Sequence, residues 1–313
     1  MPRILFVKTS SLGDVVHQCP AVSDAARAIP GASIDWVVEE GFAGIARMHA
    51  HVRRVIPVAV RRWRGALLHP STWGEVREFR ETLRSEQYDA VIDTQGLLKS
   101  ALIACLASGT RHGMDRASAR EPLASRFYHR THEVPRGLHA VERNRRLTAA
   151  ALGFRLTDTP DYGLQARGER GGAGERMPSS YSVLLTMTSR ADKLWPESRW
   201  IELGRALALP VVLPWGSAEE RARAQRIGRG IGQAVVPERM RLEALADVLA
   251  HARNVVGLDS GLTHLAAALG APTVAVFCGS DPSLTGVYAA PRATNVGAPA
   301  RPPQVFEVLQ ALQ

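Results

Sequence analysis

The sequence predicts an α/β protein of two domains, each a mostly parallel sheet with helices on both faces. Three observations carry this. The chain has 313 residues, long for one average domain and ample for two. Short apolar runs alternate with amphipathic stretches through both halves. A Gly-rich, charged segment without period, Gln165-Ala166-Arg167-Gly168-Glu169-Arg170-Gly171-Gly172-Ala173-Gly174-Glu175-Arg176, lies between them.

In the first half, residues 4–7, 34–38, 55–60 and 90–93 read as strands, with helical patterns at 15–28, 73–85, 97–107 and 139–152. In the second half the strands are 181–186, 210–213, 254–258 and 273–277, with helices at 199–207, 218–229, 242–250 and 262–269. The strand runs are nearly continuous in apolar residues, the mark of parallel sheets buried on both faces. The expected architecture is therefore two Rossmann-like domains with parallel sheets facing across a cleft. Its boundaries are an N-terminal domain at 1–160, a linker at 161–180, a C-terminal domain at 181–300 and a terminal helix at 301–313. No internal repeat is visible.

Composition narrows the classes. A hydrophobic fraction of 45% supports real cores. No stretch approaches the roughly 20 apolar residues of a membrane helix, and the first residues lack a secretory apolar region. Cys19, Cys105 and Cys278 are scattered and odd in number, which predicts a reducing cytoplasm, no disulfide framework and no metal-binding spacing. The formal charge of +9, almost all arginine, suits an acidic partner, although solubility alone also accounts for it. A nucleic-acid partner is not expected, because no reader motif or aromatic stacking platform accompanies the charge.

Three segments carry chemistry. Asn254-Val255-Val256-Gly257-Leu258 runs into Asp259-Ser260-Gly261-Leu262-Thr263-His264 and then an apolar helix. A strand, a tight turn and a helix start present N–H groups and a dipole that favour a phosphate anion, and His264 adds a donor. The plainer reading is that Asp259 or Ser260 only caps the helix. The loop Thr188-Ser189-Arg190-Ala191-Asp192-Lys193-Leu194-Trp195-Pro196 follows another strand and offers hydroxyls and the compact charge of Lys193, suited to a leaving diphosphate. A solvated loop lysine is the commoner case. In the first half, Lys8-Thr9-Ser10-Ser11-Leu12-Gly13-Asp14 looks like a phosphate loop but matches neither glycine-rich fingerprint. Asp14 is placed either as a general base or as a helix-terminal carboxylate serving the dipole.

Together these motifs resemble the ADP-heptose:lipopolysaccharide heptosyltransferases, specifically the heptosyltransferase I group. The likeness also runs through Asp35-Trp36-Val37-Val38-Glu39-Glu40-Gly41-Phe42, Arg61-Arg62-Trp63-Arg64, Asp93-Thr94-Gln95-Gly96-Leu97-Leu98-Lys99-Ser100, His112-Gly113-Met114-Asp115, Arg120-Glu121-Pro122-Leu123-Ala124-Ser125 and Leu213-Pro214-Trp215-Gly216. It spans nearly the whole chain. The resemblance implies a GT-B fold and an inverting, metal-independent transfer that needs no cofactor. The implied donor is ADP-L-glycero-β-D-manno-heptose, and the implied acceptor is a Kdo residue of Kdo2-lipid A.

Position by position, the resemblance makes Asp14 the catalytic base and sets Lys193 at the diphosphate, with Thr188 and Ser189 in the donor loop. Glu220 and Asp259 become contacts to the heptose, Met240 the adenine neighbour, and Ser260, Gly261 and His264 the phosphate-binding helix start. Ser189 and Ser260 stand where threonine is common and keep the hydroxyl; Ala191 replaces an acidic residue. Arg61, Arg62, Arg64, Lys99 and Arg120 are expected on the acceptor side, where guanidinium forks suit carboxylates and phosphates. A cytoplasmic enzyme in peripheral contact with the inner membrane is implied, since the acceptor is a lipid. The rivals are another sugar-nucleotide enzyme of the same fold, such as a second heptosyltransferase or a non-hydrolysing epimerase, and a two-lobed binding protein.

Overall fold

The computed structural model describes residues 1–156, 159–166 and 177–313, which divide into two compact units, Met1–Leu164 and Gln165–Gln313. The first unit contains strands β1 (Arg3–Val7), β2 (Ser33–Glu39), β3 (Val52–Val58), β4 (Gln87–Asp93), β5 (Ser108–Met114) and β6 (Arg130–His132), in the spatial order β3-β2-β1-β4-β5-β6. The second contains β7 (Ser182–Leu185), β8 (Val211–Val212), β9 (Ala234–Val235), β10 (Asn254–Leu258), β11 (Thr273–Phe277) and β12 (Ala293–Gly297), in the order β12-β11-β10-β7-β8-β9. All these pairings are parallel. Read from the opposite edge, the second order repeats the first, and both are the doubly wound Rossmann order. The expected fold class therefore holds, and the repetition lies in topology, not in sequence.

The cores follow from the apolar runs. Ile4, Leu5, Phe6 and Val7 are buried, as is every residue of β11. On one side of the first sheet, Leu5, Val7, Val37 and Val91 pack with Phe79, Leu83 and Ile103 from the helices Pro70–Arg84 and Leu98–Ala104. Helices Leu12–Ala28 and Ala140–Leu152 pack against each other and complete the unit. In the second unit Trp195 and Trp200 meet edge to face, 5.0 Å between ring centroids, within the core cluster around Leu184, Leu213 and Val256.

Several boundaries differ from the sequence reading, each for a physical reason. The strand expected at 55–60 runs instead over Val52–Val58, and Val60–Gly65 is a helix, so Arg61, Arg62 and Arg64 are helical. Arg53 and Arg54 conceal the strand's start in the sequence. They lie in it because the buried Asp35 of β2 accepts from Arg53 Nη2 at 2.7 Å and from Arg54 Nε at 3.1 Å. The helix expected at 97–107 ends at Ala104, and β5 begins at Ser108. This strand has no apolar run. Its Gly113 leaves room for the ring of Tyr128, whose hydroxyl donates to the buried Asp93 at 2.7 Å. The strands β6, β9 and β12 lie at sheet edges, where half-burial suffices and no apolar pattern marks them.

Residues 161–164 join the first unit: the Ala50 N–H donates to Gly163 O at 2.9 Å, and His49 bridges Leu164. The Gly- and Arg-rich run at 167–176 lies outside the described residues. The terminal helix is Val305–Gln310. Among the described residues no helix is long and apolar enough to cross a membrane.

Candidate active-site residues

In each sheet the winding reverses between two neighbouring strands, β1 and β4 in the first unit and β7 and β10 in the second. Loops leaving the carboxyl ends of such strands diverge and open a crevice, the usual ligand site of open α/β sheets. Asp14 and Lys99 follow β1 and β4; Thr188, Ser189 and Lys193 follow β7; Asp259, Ser260, Gly261 and His264 follow β10. The remaining expected residues sit on outer loops and helices of the same carboxyl edges: Arg61, Arg62 and Arg64 after β3, Arg120 after β5, Glu220 after β8 and Met240 after β9.

In the second unit the arrangement centres on Asp259. Lys193 Nζ donates to Asp259 Oδ2 at 2.6 Å, Ser280 Oγ donates to the same oxygen at 2.5 Å, and His264 Nε2 lies 3.4 Å from Oδ1. Burial pushes the carboxyl upward, but the hydrogen bonds from His264, Lys193 and Ser280 outweigh it and hold Asp259 well below the usual carboxylate range. Thr188 Oγ1 donates to the Asp259 carbonyl at 3.0 Å, tying the β7 loop to the β10 turn.

The turn does not cap its helix through a side chain. Ser260 is the N-cap of helix Gly261–Ala268, yet its hydroxyl lies 3.2 Å from Thr263 Oγ1 and makes no capping hydrogen bond. Thr263 Oγ1 instead donates to Leu258 O at 2.6 Å. A Cβ at Gly257 would collide with that hydroxyl, so the glycine lets the helix start sit down on its strand. The first N–H groups of any helix lack intrahelical partners and point outward with the positive end of the dipole. A phosphate is the anion this geometry suits.

The loop holding Lys193 is braced from behind. Arg223 donates to Trp195 O at 2.8 Å, to Thr186 O at 3.3 Å and to Glu197 Oε1 at 3.1 Å. Trp195 is fully buried and donates to Pro303 O at 3.0 Å. Ser189 is exposed, and Met240 is half-buried in the loop before helix Leu242–Ala250. Glu220 closes its own turn: Oε2 accepts the Gly216 N–H at 2.6 Å, and the Glu220 N–H donates to Ser217 Oγ at 3.2 Å.

In the first unit Asp14 is the third residue of helix Leu12–Ala28 and accepts the Ser11 N–H at 2.9 Å, so the plain helix-start role is real. A second interaction accompanies it. Arg120 Nη2 donates to Asp14 Oδ1 at 2.7 Å, and Nη1 lies 3.4 Å from Oδ2. Burial raises this carboxyl, but the charges of Lys8 and Arg120 and the Ser11 hydrogen bond outweigh it, leaving it at about 2. Lys8 is buried, donating to Thr94 O at 2.9 Å and Asn144 Oδ1 at 3.3 Å; burial pushes its ammonium down to about 8 while Asp14 pulls the other way.

The loop between Lys8 and Asp14 is held by its neighbours. Gln95 Oε1 accepts the N–H groups of Thr9 at 3.0 Å and Ser10 at 3.3 Å, while its amide donates to Ser10 O. Lys99 Nζ donates to Ser10 Oγ at 3.1 Å.

Of the expected acceptor residues, the structure brings Arg120 and Lys99 to this loop. The arginine trio stands apart on its helix. Arg62 is held by Glu40 and Glu75 at 3.1 and 2.8 Å, Arg61 lies over the Phe42 ring at 5.5 Å, and Arg64 is exposed. Four residues gain weight that the sequence did not assign: Lys8, Gln95, Arg143 and Ser280. Lys8 and Gln95 lie inside the Lys8–Asp14 and Asp93–Ser100 motifs, a signal present in the sequence. Ser280 arrives from β11, and only sheet order brings it to Asp259. Arg143 comes from helix Ala140–Leu152 and lines the same small cavity as Lys8 and Arg120.

The model of glycosyltransferase family 9, the heptosyltransferases, matches residues 76–309. The chain belongs to this family. It is thus a glycosyltransferase of the heptosyltransferase family. Lipopolysaccharide heptosyltransferase 1 of Escherichia coli K12 is 50% identical over 294 residues, covering 91% of each chain. The solved structure described as E. coli heptosyltransferase WaaC with ADP superposes with a TM-score of 0.89 at 45% identity, covering 98% of each chain. The same enzyme with ADP-2-deoxy-2-fluoro heptose gives 0.85 at 44%, again over 98% of each. A shared GT-B fold follows.

Proposed function

We propose that this heptosyltransferase moves L-glycero-D-manno-heptose from ADP-heptose to a Kdo residue of Kdo2-lipid A, with inversion and without a metal, in lipopolysaccharide inner-core synthesis. The observation that carries the reading is the Lys193–Asp259–His264 constellation at the β10 switch point, in a chain half identical to lipopolysaccharide heptosyltransferase 1 and close in fold to an enzyme solved with an ADP-heptose analogue. On this reading the helix start at Ser260, Gly261 and His264 takes the diphosphate, Thr188 and Ser189 line it, Met240 meets the adenine, and Asp259 and Glu220 contact the heptose.

The chemistry is a direct displacement. Asp14 accepts the proton of the Kdo hydroxyl as its oxygen bonds to the anomeric carbon. The bond from that carbon to the diphosphate oxygen breaks on the opposite face, the electron pair leaves with ADP, and the anomer inverts. Lys193 and the helix start stabilise the negative charge that grows on the diphosphate. In the free protein Asp14 is a weak base because Lys8 and Arg120 hold it ionised. A Kdo carboxylate engaging Arg120 withdraws that cation from Asp14 and strengthens the base where the acceptor is bound. Lys99, Arg61, Arg62 and Arg64 supply further positive charge for acceptor phosphates and carboxylates. The enzyme is cytoplasmic and peripheral on the inner membrane, where its lipid acceptor lies.

The test is a transfer assay of the purified protein with ADP-heptose and Kdo2-lipid A in EDTA. Expected is turnover within about twofold of that without chelator. Failure with this acceptor beside success with a heptosylated one assigns the chain to a later transfer step.

A further inference from the structure

We propose that the turn and helix spanning residues 66–84 dock this enzyme onto an anionic lipid surface, with Leu67, Leu68 and Trp73 entering the interface and Arg77, Arg80 and Arg84 lying on the headgroups. The need for a membrane partner rests on the lipid acceptor of the proposed function; the surface itself is read from the first unit alone.

Large apolar side chains are exposed to solvent here. Leu68 is 100% exposed, Leu67 54% and Trp73 60%. They form one structural piece, since Trp73 Nε1 donates to Leu67 O at 2.9 Å and Thr72 Oγ1 to Ala66 O at 2.8 Å. Isolated exposed apolar residues need no explanation, but an aromatic and two leucines at the tip of one turn form a patch that water disfavours.

The helix that follows carries Glu75, Glu78 and Glu81 as well as Arg77, Arg80 and Arg84, and it is the placement of the arginines that suits a lipid surface. Helix Pro70–Arg84 buries Thr72, Phe79 and Leu83 against the sheet. Trp73, Arg77, Arg80 and Arg84 share a flank beside that stripe, within about 60° of arc at 3.6 residues per turn. Among the described residues, only Arg77 of the three arginines has an ion-pair partner, Glu81 at 2.8 Å, and that pair is largely solvent-exposed. An apolar tip carrying Trp and Leu beside an arginine stripe is complementary to a surface that is apolar inside and anionic outside. The turn continues the helix Val60–Gly65, which leaves the carboxyl end of β3, the sheet edge that also carries the Asp14 loop. Docking by this turn thus brings the acceptor edge of the unit toward the lipid.

The experiment measures binding of the full chain to vesicles of phosphatidylcholine alone or mixed with phosphatidylglycerol, with no donor or acceptor present. Expected is binding to the anionic vesicles only, lost at least tenfold in Leu67→Ser/Leu68→Ser and at least tenfold in Arg77→Gln/Arg80→Gln/Arg84→Gln, with the salt dependence flattened in the latter. The arginine variant changes only exposed side chains, so it keeps the test valid should the leucine variant fold poorly. Wild-type binding equal on neutral and anionic vesicles, no binding at all, or unchanged binding by both variants overturns the proposal. So does a leucine variant that lowers the molar mass seen by light scattering, which makes the patch a contact between copies. Transfer to a deacylated soluble acceptor is expected unchanged in Leu67→Ser/Leu68→Ser. Vesicle binding without any transfer to a Kdo acceptor removes the proposed function and leaves the docking surface standing.

Discussion

Asp14 and Asp259 stand on opposite sides of the switch point in two copies of one topology, Asp14 after β1 and Asp259 after β10, the counterpart of β4, and their surroundings differ. Each lies where a strand beside the switch point turns into a helix, and each carries a cation. Asp14 lies inside its helix, and its partner Arg120 is 43% exposed at the side chain. Asp259 precedes its N-cap and is held by three side chains, its partner Lys193 being 17% exposed. An exposed guanidinium is easily exchanged for a ligand anion, since its water-facing ion pair contributes little. A buried carboxylate with three donors is a fixed part of the framework that aims its lysine. The difference teaches that one topology can hold a carboxylate with an exposed, exchangeable partner in one half and a preorganised carboxylate–lysine pair in the other.

The sharpest break of the comparison is Asp14→Asn. On the proposed mechanism it removes the base while keeping the shape, and transfer is expected to fall by roughly 10²–10⁴-fold with ADP-heptose affinity within twofold. Rapid-quench turnover beside calorimetry of donor binding checks it, and normal turnover removes Asp14 from the chemistry.

Next is Lys193→Ala, expected to lower kcat/KM for the donor by roughly 10²-fold while acceptor KM moves little. Steady-state kinetics with each substrate varied in turn decides it, and an unchanged donor response makes Lys193 a mere partner of Asp259.

Arg120→Ala tests the lock. Acceptor KM is expected to rise about tenfold. The sign for Asp14 follows from its lowered value: Arg120 stabilises the ionised form, so its loss moves the pKa up from about 2 toward the ordinary carboxylate range. Carboxyl NMR titration measures that rise. By the same sign, Asp14 contributes stability above about pH 4 that is lost as pH falls toward 2.

The smallest effect is expected for Ser280→Ala, which leaves Asp259 two of its three donors. A stability loss of about 1 kcal/mol in urea unfolding and a few-fold rise in donor KM are expected. A loss as large as that of Lys193→Ala would mean that the serine, not the lysine, organises the turn.

Much of this was legible in advance because the signals are local. The strands at Ile4–Val7, Asn254–Leu258 and Thr273–Phe277 announce themselves by unbroken apolar runs, and the Asp259–His264 turn by its place between strand and helix. What stayed hidden depended on partners distant in the chain. Arg53 and Arg54 make sense in a strand only once Asp35 lies beside them, and β5 only once Tyr128 fills the space over Gly113.

The sequence by itself determined two parallel α/β domains, the loops proposed to carry the chemistry and, through resemblance, the family. Only the tertiary structure decided that Arg120 holds Asp14, that Ser280 joins Lys193 and His264 on Asp259, and that both halves share one strand order. The reason is physical. Hydrophobic period and turn chemistry act between near neighbours and can be read along the chain. An ion pair between residues 106 apart exists only after the sheet has brought the ends of β1 and β5, with β4 between them, to one edge.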